Sequence, residues 1–342
     1  MEYRRLGRTG LEVSSLCLGA MMFGDWGNKD HDDSVRIIHA ALHAGVNFID
    51  TADVYSYGES EEIVAKAIKG RRDEVVLATK FFLPSAEGRN SKGGSRYWIR
   101  QAVERSLRRL DTDRIDLYQM HRPDPRLDID ETLAALSDLV HEGKILYLGS
   151  STFPGSEIVE AQWTAERRGR ERFVCEQPPY SILTRGIEYD VLPTCLRHGM
   201  GVIPWSPLSG GWLSGRYRLG SDAPGSSRAQ RLPARYDLDA PGNRQKLEVA
   251  DALAVLAEDA GLSLIEMAIA FVLRNPAVTS AIIGPRTMEH LESQLPAADI
   301  GLSSDVLDRI DELVPPGTNF NSADAGYLPP MVARASARRR PE

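Results

Sequence analysis

Four polar residues, Asp50, Tyr55, Lys80 and His121, stand at or just beyond the ends of short apolar runs. The runs read NFIDTADVY, VVLATK and DLYQMH. An acid, a phenol, an ammonium and an imidazole meeting at one spot suit one kind of work. Hydride transfer to a carbonyl leaves an alkoxide, which needs a general acid beside the oxygen. A free phenol, with a pKa of about 10, is a sluggish proton donor near neutrality. An ammonium beside it favours the phenolate, and a carboxylate partner keeps a half-buried ammonium charged. An imidazole across the site can donate the hydrogen bond that orients and polarises the carbonyl. Such groups titrate together rather than singly. A lone lysine at a strand end is commonly a rim cation, and a lone histidine a structural residue. Their places on consecutive strand ends argue for joint action.

The elements that would position them follow a regular beat. Short apolar strands are expected at 16–19, 47–51, 75–79, 115–120, 145–149, 173–176, 201–204 and 280–283. Amphipathic helices are expected near 33–44, 60–68, 96–110, 130–141, 155–168 and 187–197. Alternation of this kind signals βα units and a parallel sheet. In the helix at 96–110, Ile99, Val103, Leu107 and Leu110 share one face, and Arg105, Arg108 and Arg109 lie on the solvated one. The stretch 206–243 is rich in Gly, Pro, Ser and Arg and has no apolar period, so it reads as a long functional loop. Helices near 244–260, 263–273, 288–294 and 304–314 follow, and Pro315-Pro316 closes the last. No GxGxxG turn follows an early strand, which argues against an open Rossmann sheet. The expectation is an α/β fold: a (β/α)8 TIM barrel with an N-terminal β-hairpin around Gly7 and Gly10 and extra C-terminal helices. It forms a single domain over 1–342, with 315–342 as a loosely ordered tail. In such barrels the functional groups cluster at the C-terminal ends of the strands.

A formal net charge of -7 argues against a nucleic-acid surface. The basic run from Arg334 to Arg340 reads as a solvated tail. Cys17, Cys175 and Cys195 lie far apart with no CxxC spacing, so neither a disulfide framework nor a metal site is expected. The opening MEYRRLGRTG holds no apolar h-region, and no stretch approaches bilayer length. The expected place is the cytoplasm, with neither nucleic acid nor membrane as partner.

Several longer runs resemble the aldo-keto reductase family, in the branch of potassium-channel β subunits and bacterial general reductases. GVNFIDTADVYSYGESEEIVAKAI is similar to the signature around the family's catalytic Asp and Tyr. SLRRLDTDRIDLYQMHRPD is similar to the second signature, which ends in the active-site His. ATK, GKILYLGSST, EQPPYSIL, PWSPLSGGWLSGRY and AIIGPRTMEHLESQL resemble further family blocks, in order, across residues 3–314.

The resemblance implies NADPH as cofactor, a small carbonyl compound as substrate, and no metal. It implies that Tyr55 is the general acid, that Lys80 and Asp50 tune it, and that His121 orients the carbonyl. Ser151 and Gln177 match residues that hold the nicotinamide carboxamide. Thr152 stands where the family carries Asn, and a hydroxyl replaces one amide hydrogen bond but not two. Trp205 matches the aromatic that stacks on the nicotinamide. Ser206, Leu208, Gly210, Gly211 and Leu213 resemble the pyrophosphate loop, where a Gly-Gly pair lets backbone amides approach phosphate. Arg216 matches a basic residue beyond it. Gly284, Arg286, His290 and Gln294 follow the eighth strand at a helix start, and Arg286 is matched to the adenosine 2′-phosphate. For the substrate side, Met22, Phe23, Trp26, Phe81, Phe82 and Arg122 are expected at the mouth, suiting an apolar or aromatic carbonyl.

Three other readings compete. A cofactor-binding, redox-sensing subunit with little turnover uses the same barrel. A reductase of a nucleotide-linked keto-sugar uses the same chemistry. A metal-dependent barrel hydrolase would need an HxH pair on the first strand, and none is present.

Overall fold

The computed structural model describes residues 1–221, 225 and 227–340. Two short strands, β1 (Tyr3–Arg5) and β2 (Glu12–Ser14), pair antiparallel as a hairpin. Its turn closes the N-terminal end of the barrel. A Cβ on Gly7, at φ +59°, would stand 2.6 Å from the Gly199 carbonyl oxygen, so only glycine fits there.

Eight parallel strands follow: β3 (Leu16–Gly19), β4 (Phe48–Asp50), β5 (Val76–Phe81), β6 (Ile115–Met120), β7 (Ile145–Ser151), β8 (Phe173–Gln177), β9 (Gly201–Val202) and β10 (Ala281–Ile283). They are ordered β10-β3-β4-β5-β6-β7-β8-β9. The ring closes where Thr279 N donates to Val202 O at 2.8 Å and Ile282 N donates to Pro204 O at 2.9 Å. The expected (β/α)8 barrel with its hairpin is the observed fold.

The helices are α1 (His31–His43), α2 (Glu59–Ile68), α3 (Arg96–Arg109), α4 (Ile129–His141), α5 (Gly155–Arg168), α6 (Val191–His198), α7 (Ser227–Arg231), α8 (Pro241–Asp259), α9 (Leu264–Arg274), α10 (Met288–Gln294), α11 (Ser304–Leu313) and the short α12 (Pro330–Ala333). Local chemistry sets their starts. Asp30, Ser95, Asp128, Ser263 and Ser303 each cap a helix by accepting an early backbone N–H, and Ser263 with Glu266 forms a capping box. Gly169 and Gly199 end α5 and α6 in the left-handed conformation.

Strand alternation sorts the core into two layers. Cys17, Phe48, Val76, Ala78, Leu117, Cys175 and Ile203 fill the barrel interior with Leu6 and Val13 of the hairpin. The larger layer lies between strands and helices and includes Ile99, Val103, Leu107 and Leu110, the apolar face expected for α3. Continuing the same alternation carries Asp50, Lys80, Gln119 and Gln177 to the inward face one layer above.

Three regions depart from expectation. The helix expected from residue 187 begins at Val191, after a 3-10 turn at Gly186–Glu188. Pro193 has no N–H to offer a preceding turn, so it is confined to the first turn of α6. The stretch expected as one long loop at 206–243 carries short helical turns at Ser209–Gly211, Ser227–Arg231 and Pro233–Arg235, and among its described residues Trp212 stacks on Tyr217 at 4.2 Å and on Tyr236 at 5.9 Å. The tail is docked in its first part. Thr318 O accepts from Arg185 N, Gly317 N donates to Glu188, and Asp324 takes the buried Lys246 ammonium at 2.8 Å. Among the described residues no helix is long and apolar enough to cross a membrane.

Candidate active site

The C-terminal mouth of the barrel gathers the charged groups. Lys80, one residue before the end of β5, is fully buried, and its Nζ meets Asp50 Oδ2 at 2.5 Å and the Thr51 carbonyl at 2.8 Å. The same Nζ lies 3.4 Å from the Tyr55 hydroxyl. Burial would lower the lysine pKa, but Asp50 and Tyr55 outweigh it and hold the ammonium above its ordinary value. Asp50 Oδ1 accepts from Gln119 Nε2 at 3.0 Å and from Gln177 Nε2 at 2.9 Å, so both carboxylate oxygens are satisfied. Tyr55 opens a 3-10 turn, Tyr55–Gly58, whose Ser56, Tyr57 and Gly58 all have positive φ. That turn is held by the first loop, where Trp26 N donates to Ser56 Oγ at 3.1 Å.

His121 follows β6, buried, with its ring edge-on to Tyr55 at 5.8 Å between centroids. Burial, then Arg122, then Lys80 push its pKa well below the usual histidine value, so the ring is neutral. A neutral imidazole beside a phenol–ammonium–carboxylate chain can donate to an oxygen without competing for the proton on the phenol. The structure thus brings Asp50, Tyr55, Lys80 and His121 together.

The residues matched to the cofactor fall into two groups. Near the barrel axis, Ser151 Oγ donates to the Gln177 carbonyl at 2.9 Å, and Thr152, at φ +62°, lies beside it. Trp205 is half-buried at the rim, and a Cβ on Gly326 would stand 2.7 Å from its ring and 3.1 Å from the Thr152 methyl. The docked tail therefore walls the same corner of the mouth. Further out, Arg216, Gly284 and Arg286 are exposed. Burial lowers the His290 pKa, and Arg286 and Arg216 lower it further, so two guanidiniums bear on one half-buried ring. Paired guanidiniums at a rim suit a phosphate.

Several expectations are corrected. The Gly-Gly pair does not present free amides: Gly210 N donates to Ser206 Oγ at 2.8 Å, and Gly211 N to Leu208 O at 2.9 Å. A tight turn, with Gly210 at φ +70° and Gly211 at φ +104°, consumes both donors. Leu208 is half-buried and Leu213 fully buried, and both pack against the core. Gln294 is buried at the end of α10. Phe81 points to the helix side, its ring 4.9 Å from Tyr118, because Lys80 before it points inward. Phe23 is also core, fully buried, and its carbonyl accepts from Ser56 Oγ. Phe82, at φ +118°, is packed against the outer core. Met22 and Trp26 are partly exposed, and the Trp26 ring lies 6.0 Å from that of Tyr55. Arg122 reaches the mouth, donating to Thr152 Oγ1 at 3.0 Å.

Sequence reasoning missed three residues. Gln119 shares the inward face with His121, two positions on, and period-two alternation was the available signal. Gly149 makes room for it, since a Cβ there would stand 2.8 Å from Gln119 Cγ. Glu176 is fully buried on the helix side of β8, bonded to the Ser150 hydroxyl and the Phe153 amide, and so pins the loop that carries Thr152. Burial pushes its carboxyl up to about 7 against those hydrogen bonds.

The chain is similar to known proteins along nearly its full length. A sequence profile of the Aldo/keto reductase family matches residues 15–315. The uncharacterized oxidoreductase YrpG of Bacillus subtilis is 42% identical over 326 residues, covering 92% of this chain and 96% of its own. A probable voltage-gated potassium channel subunit beta of Arabidopsis thaliana is 35% identical over 326 residues, covering 92% and 97%. The aldo-keto reductase AMT2 of Alternaria alternata is 35% identical over 340 residues, covering 91% and 90%. A closed eight-stranded barrel, a mouth that joins phenol, ammonium and carboxylate, and similarity across the whole barrel lead to one assignment: this chain belongs to the aldo/keto reductase family.

Proposed function

We propose that this protein is an NADPH-dependent reductase of aldehydes or ketones, with Tyr55 as the general acid. The observation that carries the reading is the lysine Nζ set between Asp50 Oδ2 and the Tyr55 hydroxyl. Bound at the mouth, the nicotinamide supplies the hydride that forms the new C–H bond. Tyr55 gives its proton to the carbonyl oxygen, and the Lys80 ammonium stabilises the phenolate left behind. His121 donates to the same oxygen and fixes its direction. Solvent then returns one proton to Tyr55, so each turnover consumes one carbonyl, one reduced cofactor and one proton.

Ser151, Thr152 and Gln177 line the place for the carboxamide, and Trp205 offers a face for stacking. Arg286 and Arg216 favour the phosphorylated cofactor. The substrate is a small molecule and the setting is cytoplasmic.

Steady-state oxidation of NADPH with 4-nitrobenzaldehyde tests the reading. Tyr55→Phe should abolish turnover while cofactor binding, followed by fluorescence, stays nearly intact. A Phe variant at the wild-type rate would sink the assignment. Arg286→Ala should weaken NADPH about tenfold or more relative to NADH, the size expected for a charge-assisted contact; equal losses would move the phosphate elsewhere. Similarity to a channel β subunit favours a second reading, a cofactor-binding subunit. Tight NADPH binding by a wild-type protein that turns over no carbonyl would select it.

A further inference from the structure

We infer that Arg122 selects carbonyl substrates bearing a carboxylate, gripping that group while the carbonyl lies between Tyr55 and His121. The inference rests on the reductase reading above and names its substrate class. Arg122 is partly exposed on the loop that leaves β6 immediately after His121. Its Nη1 donates to the His121 carbonyl at 2.6 Å and to Thr152 Oγ1 at 3.0 Å. Both acceptors are neutral. They fix the guanidinium plane at the mouth and leave Nε and Nη2, among the described residues, without a protein acceptor.

The charges around Arg122 do not neutralise it. The carboxyl that acts on it is Glu176, whose oxygens are already engaged by the Ser150 hydroxyl and the Phe153 amide. A second guanidinium, Arg235, repels it. Arg235 lies over the Trp205 ring at 5.9 Å, with Asp324 at 3.7 Å. Arg231 covers the Trp26 ring at 5.1 Å, and that ring lies 6.0 Å from Tyr55. Two further guanidiniums thus sit on the aromatic faces of Trp205 and Trp26.

A largely buried cation with a like-charged neighbour and no engaged carboxylate is costly as it stands. An incoming carboxylate offers two oxygens to the unused edge of the fork, the geometry in which guanidinium binds best. Since Arg122 directly follows His121 and feels the charge of Tyr55, such a ligand would hold a carbonyl a few bonds away within reach of both.

A matched pair of aldehydes provides the test: 3-carboxybenzaldehyde and its neutral methyl ester, methyl 3-formylbenzoate, each assayed with NADPH. The wild-type protein should prefer the acid in kcat/KM by about ten- to hundredfold, the worth of a charge-assisted contact. Arg122→Met should collapse that preference through KM for the acid, and Arg122→Lys should keep part of it. A wild-type preference near one, or a preference that survives Arg122→Met, overturns the inference and leaves the reductase reading standing. A preference that falls only in step with NADPH affinity overturns it too, because Arg122 would then act through the Thr152 loop. If neither aldehyde turns over, the reductase reading fails and calorimetry with benzoate and benzamide decides. Benzoate binding that Arg122→Met removes supports the grip on carboxylate, and indifference to the substitution overturns it.

Discussion

Asp50 and Asp53 leave the same strand end three residues apart, both almost wholly buried, and they meet opposite fates. Asp50 faces into the barrel, where Lys80, Gln119 and Gln177 satisfy it. Asp53 has only Ser85 Oγ on one oxygen, at 2.7 Å, and its other oxygen is buried without a hydrogen-bond partner among the described residues. Burial raises its pKa, Glu61 raises it further, and the Tyr118 hydroxyl is buried without a partner among the described residues as well. Burial is therefore not what makes Asp50 useful. What differs is an ammonium within bonding distance of one carboxylate, which links it to a phenol. The other is driven towards its neutral form, with a pKa pushed up to about 7.

The strongest way to break this contrast is to remove the ammonium. Lys80→Met keeps the volume of the side chain but leaves Asp50 as a buried carboxylate with amide donors alone. Breaking a buried pair from one side costs about 3–5 kcal/mol. Denaturant unfolding should register that loss, and turnover should fall by roughly 10²–10⁴-fold, the range for an impaired acid–base group. The double variant Lys80→Met with Asp50→Asn should recover much of the stability and none of the activity. Recovery of activity would mean that Lys80 serves only to neutralise Asp50, and the role given to its contact with Tyr55 would fall.

Strand ends, read by their polar residues, already placed Asp50, Lys80 and His121 on one rim, because alternation is a strong constraint inside a barrel. The same alternation fixes Phe81 on the helix side and Gln119 on the inner face, yet on sequence Phe81 is assigned to the mouth and Gln119 is passed over. A phenylalanine following a functional lysine invites a substrate role, and a buried glutamine carries no chemistry of its own until its neighbour is known. Elements with periodic apolar faces, such as α3, were legible to within a residue or two. The loop after β9 was not, since its order comes from Trp212, Tyr217 and Tyr236 meeting across sequence gaps with no period. The docking of Asp324 on Lys246 is equally invisible, because the two residues are far apart in the chain and each looks like a surface charge. Pairing, not position, was the information missing from the sequence.

A gentler probe of the comparison changes Asp53. In the folded protein its carboxyl holds a proton up to about pH 7, whereas its ordinary value is 3.8. The folded state thus binds more protons than the unfolded state between those limits, and stability falls as pH rises through them. Below about pH 4 both states are protonated and the cost vanishes; above about pH 7 it is complete and constant. Asp53→Asn keeps an acceptor for Ser85 and removes the ionisation. The variant should match the wild type near pH 4, gain on it through the interval by at most about 1.4 kcal/mol per pH unit, and hold that lead above pH 7. Thermal melts across pH 4–9 read the effect directly. A lead that does not change with pH would show that Asp53 has found a cation after all, and the contrast with Asp50 would have to be drawn from geometry alone.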